Sequence, residues 1–355
     1  MNLKKNTIYK FIVMIINLSI VMGDGVWVKY GWELFDYVVD ARSSSLGNAG
    51  TAYNLGSIQS SIANPSFISY TGNNISMTHQ SRFAGMVNSD LFGMQLKSKS
   101  RTINLNILYQ GISNIPDTRA MLLDWGQDGQ FGTNDIGEGN GIVDEGERLD
   151  KQKLRYFNQH QFGMHGAFIT KIMGVPLGIG FKMLSYSLSD HYALGVGIDI
   201  GYNTMIKRSS LGIVIRNFPA SGLIWDSGTV EGTRPSVSIG LHHPIDYFER
   251  SSVLINTIIK LETSLSNVNV DSQIRYGSLS IDPAYGIEII YKQNTMIRIG
   301  KNSVNDNTGG VGLRWENIGV DYAFINSINS GAIGNHHLIS LNLSSDWIIS
   351  KLSIK

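Results

Sequence analysis

The chain contains no cysteine in its 355 residues. Neither a disulfide framework nor a lipid-bearing cysteine is therefore available to it. Charge is also scarce: charged residues make up 16% of the chain, against about 25% in an ordinary globular domain. The 29 basic and 28 acidic residues nearly cancel, for a net charge of +1, so no bulk field draws the chain toward nucleic acid. Beyond the N-terminal region no apolar run reaches the length of a helical membrane span. The Gly-x-Ser-x-Gly elbow, the His-Glu-x-x-His pair, the P-loop and the Gly-x-Gly-x-x-Gly turn are all missing, and no enzyme is expected.

In their place stand 39 glycines and a long series of alternating segments. Ala193–Asn203 is the clearest: Leu194, Val196, Ile198, Ile200 and Tyr202 share one face, and Gly195, Gly197, Asp199, Gly201 and Asn203 share the other. A period of two is a strand with an oily side and a small, polar side. In a soluble secreted β-protein the oily side would face a core. In a membrane barrel it would face lipid, and the small side would line the lumen. Asp199, Arg216, Glu288, Arg298, Arg314 and Asp321 fall on polar strand faces and would line that lumen, where opposite charges pair more cheaply than in lipid. The adjacent histidines 242 and 243, and 336 and 337, point to opposite faces of a strand, as do His160 and His165, so none of these forms a metal pair.

The segments order the chain. Residues 1–24 read as a signal peptide, with Lys4, Lys5 and Lys10 ahead of the apolar run Phe11–Met22. Residues 25–73 are rich in small residues and lack long alternation, which suits a compact luminal plug. Residues 74–345 carry the strands, interrupted at 116–152 by an acidic, glycine-rich insertion, and 346–355 form a tail. Links alternate between short turns and longer loops, the wiring of an up-and-down barrel. The expected fold is all-β: a transmembrane antiparallel β-barrel of about 14 strands in the outer membrane. Gly277–Ile281 and Gly286–Tyr291 are expected as two separate strands. Tyr109, Tyr156, Tyr186, Tyr202, Tyr291, Trp315 and Trp347 stand near strand ends, where an interfacial aromatic belt would place them.

The segment Asp40-Ala41-Arg42-Ser43-Ser44-Ser45-Leu46-Gly47-Asn48-Ala49-Gly50, followed by Ile62-Ala63-Asn64-Pro65-Ser66 and a run of strands, resembles the PorV/PorQ family of outer-membrane proteins. That family opens on Gly-Ala-Arg-x-x-x-Met-Gly-x-Ala and continues to an acidic pair and Asn-Pro-Ala-Gly. Here Gly56-Ser57 stands near the acidic pair's place and Ser66-Phe67 replaces Ala-Gly. The family is similar to FadL-type barrels. The resemblance implies a non-enzymatic barrel that attaches or shuttles secreted cargo with type IX secretion components, or a FadL-like channel for hydrophobic small molecules. It assigns the plug motif to Arg42, Gly47, Asn64 and Pro65, with Arg42 tying the plug to a luminal carboxylate.

The insertion holds one further pattern. Calcium takes six to eight oxygens on a sharply bent loop, which interleaved acids and glycines supply. Asp124, Asp128 and Asp135 fit positions 1, 5 and 12 of the twelve-residue calcium loop, with Gly129 at position 6. A second half-match places Asn140, Asp144 and Glu147 at positions 5, 9 and 12. The spacing predicts a Ca²⁺-ordered loop; the alternative is a solvated acidic extracellular loop without metal.

Overall fold

The computed structural model describes residues 26–27, 31–68, 74–97, 101–145, 147–246, 252–265, 272–277, 279–327 and 334–353. The expected signal peptide lies outside the described residues. Fourteen antiparallel strands form the wall: β1 Asn74–Arg82, β2 Val87–Lys97, β3 Thr102–Asp117, β4 Arg155–Ile172, β5 Val175–Leu188, β6 His191–Ile206 and β7 Ser209–Arg216. They continue as β8 Ser236–Asp246, β9 Val253–Leu265, β10 Leu279–Tyr291, β11 Thr295–Lys301, β12 Asn307–Arg314, β13 Ile318–Asn326 and β14 Asn335–Ser344. Each pairs with the next, and β14 pairs back onto β1 from Asn74↔Ser344 to Ser81↔His337. The wall is therefore closed and presents no sheet edge around its circumference.

Alternation sets the two faces. In β6, Leu194 and Val196 are 60% and 54% exposed, whereas Asp199 between Ile198 and Ile200 is 1% exposed. Apolar rows therefore line the outside of a closed barrel, the arrangement a lipid bilayer requires. A soluble β-protein would bury these rows. Histidine alternation is equally clear: His165 is fully buried in the lumen, and His337 lies exposed on the outer face.

Two details differ from the sequence reading. Residues 279–291 form one strand, not two, and it runs through Pro283. On one side of β10, pairing passes from Ile274–Tyr276, which meets Leu279–Ile281, to β11, which begins at Tyr285. Pro283 occupies the interval, where no ladder partner on that side needs its missing N–H. Tyr186 points inward against Trp225, with ring centroids 5.3 Å apart, and does not join an outer belt. Tyr156, Tyr291 and Trp315 are outside, at 62%, 47% and 60% exposure.

Short turns close one end of the barrel, as at Met173-Gly174 between β4 and β5, where both residues have positive φ (52° and 81°). The opposite end carries the insertion between β3 and β4. By the usual wiring the short-turn end is periplasmic and the insertion extracellular. After β7 the chain bulges at 217–220, pairs as Ser221–Trp225 with the upper part of β6, and returns through Val230–Thr233. Beyond β14, the sequence's tail begins as a helix, Ser345–Leu352, capped by the Ser344 hydroxyl.

The interior is occupied by residues 31–68. Three short helices punctuate them: α1 Leu34–Tyr37, α2 Ala41–Ser45 and α3 Ser60–Ala63. Trp32, Leu34, Phe35, Val38 and Ile62 pack with inward-facing Leu91, Leu108, Leu184 and Leu223 of the wall. The hydrophobic core thus lies between plug and wall.

Candidate functional site: the seated plug and the acidic rim loop

The plug is held first by local chemistry. Asp40 caps α2: its carboxylate accepts from the Ser43 backbone N–H at 2.8 Å and from the Ser43 hydroxyl at 3.0 Å, satisfying donors a helix start leaves open. Burial pushes the Asp40 carboxyl above its ordinary range. The helix ends in a Schellman arrangement, with Gly47 N–H donating to Ser44 O and Asn48 N–H to Ser43 O. Gly47 has φ +67°, and a Cβ there would strike the carbonyl oxygens of Lys301 and Tyr285. Glycine is required at this position both for the turn and for the wall's close approach.

Arg42 projects from α2 into a chain of alternating charges. Its Nε and Nη2 donate to the two oxygens of Glu288 at 2.8 and 2.7 Å, and its Nη1 to Leu55 O at 2.6 Å. Tyr53 Oη donates to Glu288 Oε2 at 2.8 Å. Arg298 Nε donates to Glu288 Oε1 at 2.7 Å, Arg298 Nη1 lies 2.9 Å from Asp321, and Arg314 Nη2 lies 2.6 Å from Asp321. Such forked arginine contacts fix orientation as well as charge. Burial opposes the Arg42 charge and Glu288 favours it; Glu288 prevails, and the guanidinium pKa stands above its ordinary value.

A second polar cluster faces the other side of the plug. Lys182 lies 2.8 Å from Asp199 and donates to Asn217 Oδ1 at 2.7 Å, and its ammonium is 5.5 Å from the ring centres of Trp32 and Phe35. Arg216 donates to Ile62 O and Ala63 O at 3.2 and 3.4 Å, meeting the open carbonyls at the end of α3. Asn64 Nδ2 donates to Thr51 O at 2.8 Å and to Tyr202 O at 3.3 Å, and Asn64 Oδ1 accepts from Ser66 N–H and Oγ. Pro65 lies against the bare glycines of β5 and β6: a Cβ at Gly178 would overlap Pro65 and Ser66 backbone, and one at Gly201 would overlap Asn64.

The four motif residues therefore divide into two anchors. Arg42 and Gly47 meet β10 and β11, while Asn64 and Pro65 meet β5 and β6. Sequence reasoning placed Glu288, Arg298 and Asp321 on the luminal face. It missed Lys182 and Asn217, and the inward leucines that receive Trp32 and Phe35. The signal for Lys182 was present: a lone cation amid the alternation Phe181-Lys182-Met183.

In the insertion the acidic side chains bind the loop's own backbone. Asp124 accepts from Gly139 and Gly141 N–H at 2.8 and 2.7 Å, Asp135 from Asp128 N–H at 2.7 Å, and Glu147 from Gly126 and Asp144 N–H at 3.0 and 2.9 Å. Asn140 Nδ2 donates to Asp144 at 2.6 Å. Asp128 caps Gln130 at 2.7 Å. Among the described residues no three His, Asp or Glu side chains are gathered as an ion requires. The sequence spacing that suits a calcium loop suits these side-chain turns equally well.

No protein-family model and no curated protein matches the chain. Solved structures similar to it include the toluene transporter TodX of Pseudomonas putida, at 11% identity and TM-score 0.49 over 90% of this chain and 98% of that one. A FadL homologue of Pseudomonas aeruginosa is similar at 10% identity and TM-score 0.43, over 86% and 97% of the two chains. The outer membrane protein Omp33 of Acinetobacter baumannii is similar at 8% identity and TM-score 0.36, over 77% and 97%. The closed wall, its apolar exterior and its polar, plugged interior make this chain an outer-membrane β-barrel.

Proposed function

We propose that this protein is a plugged outer-membrane platform of the PorV/PorQ type: a non-enzymatic barrel that attaches or hands on secreted cargo at its faces. The observation that carries this reading is the two-sided seating of the plug. Wall glycines receive plug backbone at Gly47, Pro65 and Ser66, and Arg42 is forked onto Glu288. A segment locked at opposite walls favours work done at the rims, where the acidic insertion supplies surface, over passage through the lumen. Detergent-solubilised protein purified from its native membrane is expected to carry secreted protein and secretion components with it. Recovery of the barrel alone, together with saturable binding of a long-chain fatty acid, would reject this reading.

That outcome would support a second one, a FadL-like channel for hydrophobic solutes. It is favoured by the apolar luminal cluster of Trp32, Leu34 and Phe35 with Leu91, Leu108, Leu184 and Leu223, which offers hydrocarbon-like walls once the plug shifts.

A further inference from the structure

The outer apolar band is much shorter on one side of the barrel than on the other. A strand rises about 3.3 Å per residue, and tilts by 35–45° in an outer-membrane barrel, so each residue adds about 2.5 Å of height. On β6 the outward side chains run from Ile206 to Leu194, twelve residues, with Thr204 the one polar member. That is about 30 Å, enough for the roughly 25 Å band of such barrels. On β14 only Leu343, Leu341 and Ile339 precede outward His337. On β2, Leu96, Met94 and Phe92 precede Asp90, and on β1, Ile75 and Met77 precede His79. On β11, Ile297 and Ile299 precede Lys301. These four strands supply an apolar height of about 10–15 Å.

The polar row on this flank is organised. His79 Nδ1 lies 2.8 Å from Asp90, and both side chains are more than half exposed. Tyr322 Oη lies 2.8 Å from His337 Nδ1 on the same outer face. Tilting the barrel does not remove the mismatch, because the periplasmic turns on both sides start their apolar rows at the strand ends. In a bilayer of ordinary thickness the His79–Asp90 pair would stand near mid-depth, where charge on the lipid face is most costly.

We infer that the flank formed by β11–β14, β1 and β2 holds a locally thinned bilayer, with external-leaflet headgroups drawn down to the row His79, Asp90, Lys301 and His337. Lipid is the occupant because the apolar rows below that level continue from β14 through β1 to β6: Met77, Phe92 and Ile339 join Ile103, Ile107 and the rows of β4 to β6. The hydrocarbon that covers the tall side covers the lower half of the short side too. Thinning meets the mismatch at a small cost per ångström, while the polar row keeps its water and headgroup contacts.

The absence of cysteine makes the test direct. His337 stands seven residues above Ser344 on β14, and Ile198 eight residues above Ile206 on β6, so the two lie at similar height on opposite flanks. His337→Cys and Ile198→Cys are made in the full chain, checked for heat-modifiable migration, and reconstituted into vesicles of dioleoylphosphatidylcholine. A membrane-impermeant maleimide is expected to react at least tenfold faster with His337→Cys. Asp90→Cys against Met183→Cys repeats the comparison on β2 and β5, and spin labels at these sites report depth without relying on reactivity. Equal protection of both flanks would overturn the inference. So would fast reaction in vesicles but tenfold shielding in isolated outer membranes with Thr133→Cys still reactive, since a protein would then cover the flank.

Discussion

Removing Glu288 should release the plug more severely than removing Arg42, although the two form one ion pair. Glu288 is fully buried and is shared by two arginines, Arg42 and Arg298, besides accepting from Tyr53. Glu288→Gln leaves two guanidinium groups facing a neutral amide. Breaking a buried pair by deleting one partner costs about 3–5 kcal/mol; Arg298 keeps Asp321 at 2.9 Å, so Arg42 is the cation left without a carboxylate and the lower end of that range, about 3 kcal/mol, applies. Arg42→Met leaves Glu288 still paired with Arg298 at 2.7 Å, and the side chain of Arg42 is 13% exposed. Its cost should be about 2 kcal/mol, close to that of a charged hydrogen bond whose acceptor keeps another donor. Urea unfolding in lipid vesicles, followed by tryptophan fluorescence and by heat-modifiable migration, measures both. Limited proteolysis within 31–68 reports the plug separately from the wall. The double variant closes a cycle whose coupling should be about 2 kcal/mol. Equal costs for the two single variants, or costs below about 0.5 kcal/mol for both, would refute the claim that this chain of charges seats the plug.

Other substitutions test other contacts. Gly178→Val should expose residues 31–68 to protease while leaving the wall assembled, because its Cβ meets Pro65 and Ser66 backbone; Gly222→Ala, which meets nothing within 4 Å, should leave the digestion pattern unchanged. Ile198→Arg places a charge on the lipid face deep in the tall flank and should cost about 2–4 kcal/mol of folding into vesicles, against about 0–1 for Ser185→Arg near the rim; the reverse order in folded yield would refute the depth assigned to these two outward positions. Calcium is expected to slow proteolysis of Asp124–Glu147 relative to chelator, with Asp135→Asn abolishing the difference; identical digestion in both conditions would leave the loop as a set of side-chain turns.

Much of this architecture was legible in the chain because a strand has only two faces. At Ala193–Asn203 every second residue is small or polar, and no other period fits, so the lumen side could be assigned without knowing any partner strand. Asp199, Glu288, Arg298 and Asp321 were placed inside by the same parity. Parity fails where both faces are apolar. Met183 faces lipid and Leu184 faces the plug, yet side by side they read as one oily stretch, so the core shared by Leu184, Leu223 and Trp32 went unseen. Parity also carries no information on who meets whom. Arg42 and Glu288 are 246 positions apart, and their meeting depends on closure of the wall and on the shape of a plug that lacks any period. Glycine is the clue that bridges these scales. A glycine on the inner face of a strand weakens that strand, and its value appears only when another backbone must approach. Gly178, Gly201 and Gly286 lie beneath Pro65, Asn64 and Leu46 in turn, so the small stripe of an outer-membrane strand is a negative imprint of the segment seated on it. Read in that way, inward glycines mark where a plug touches the wall, and a luminal row of leucines marks where it brings side chains instead of backbone.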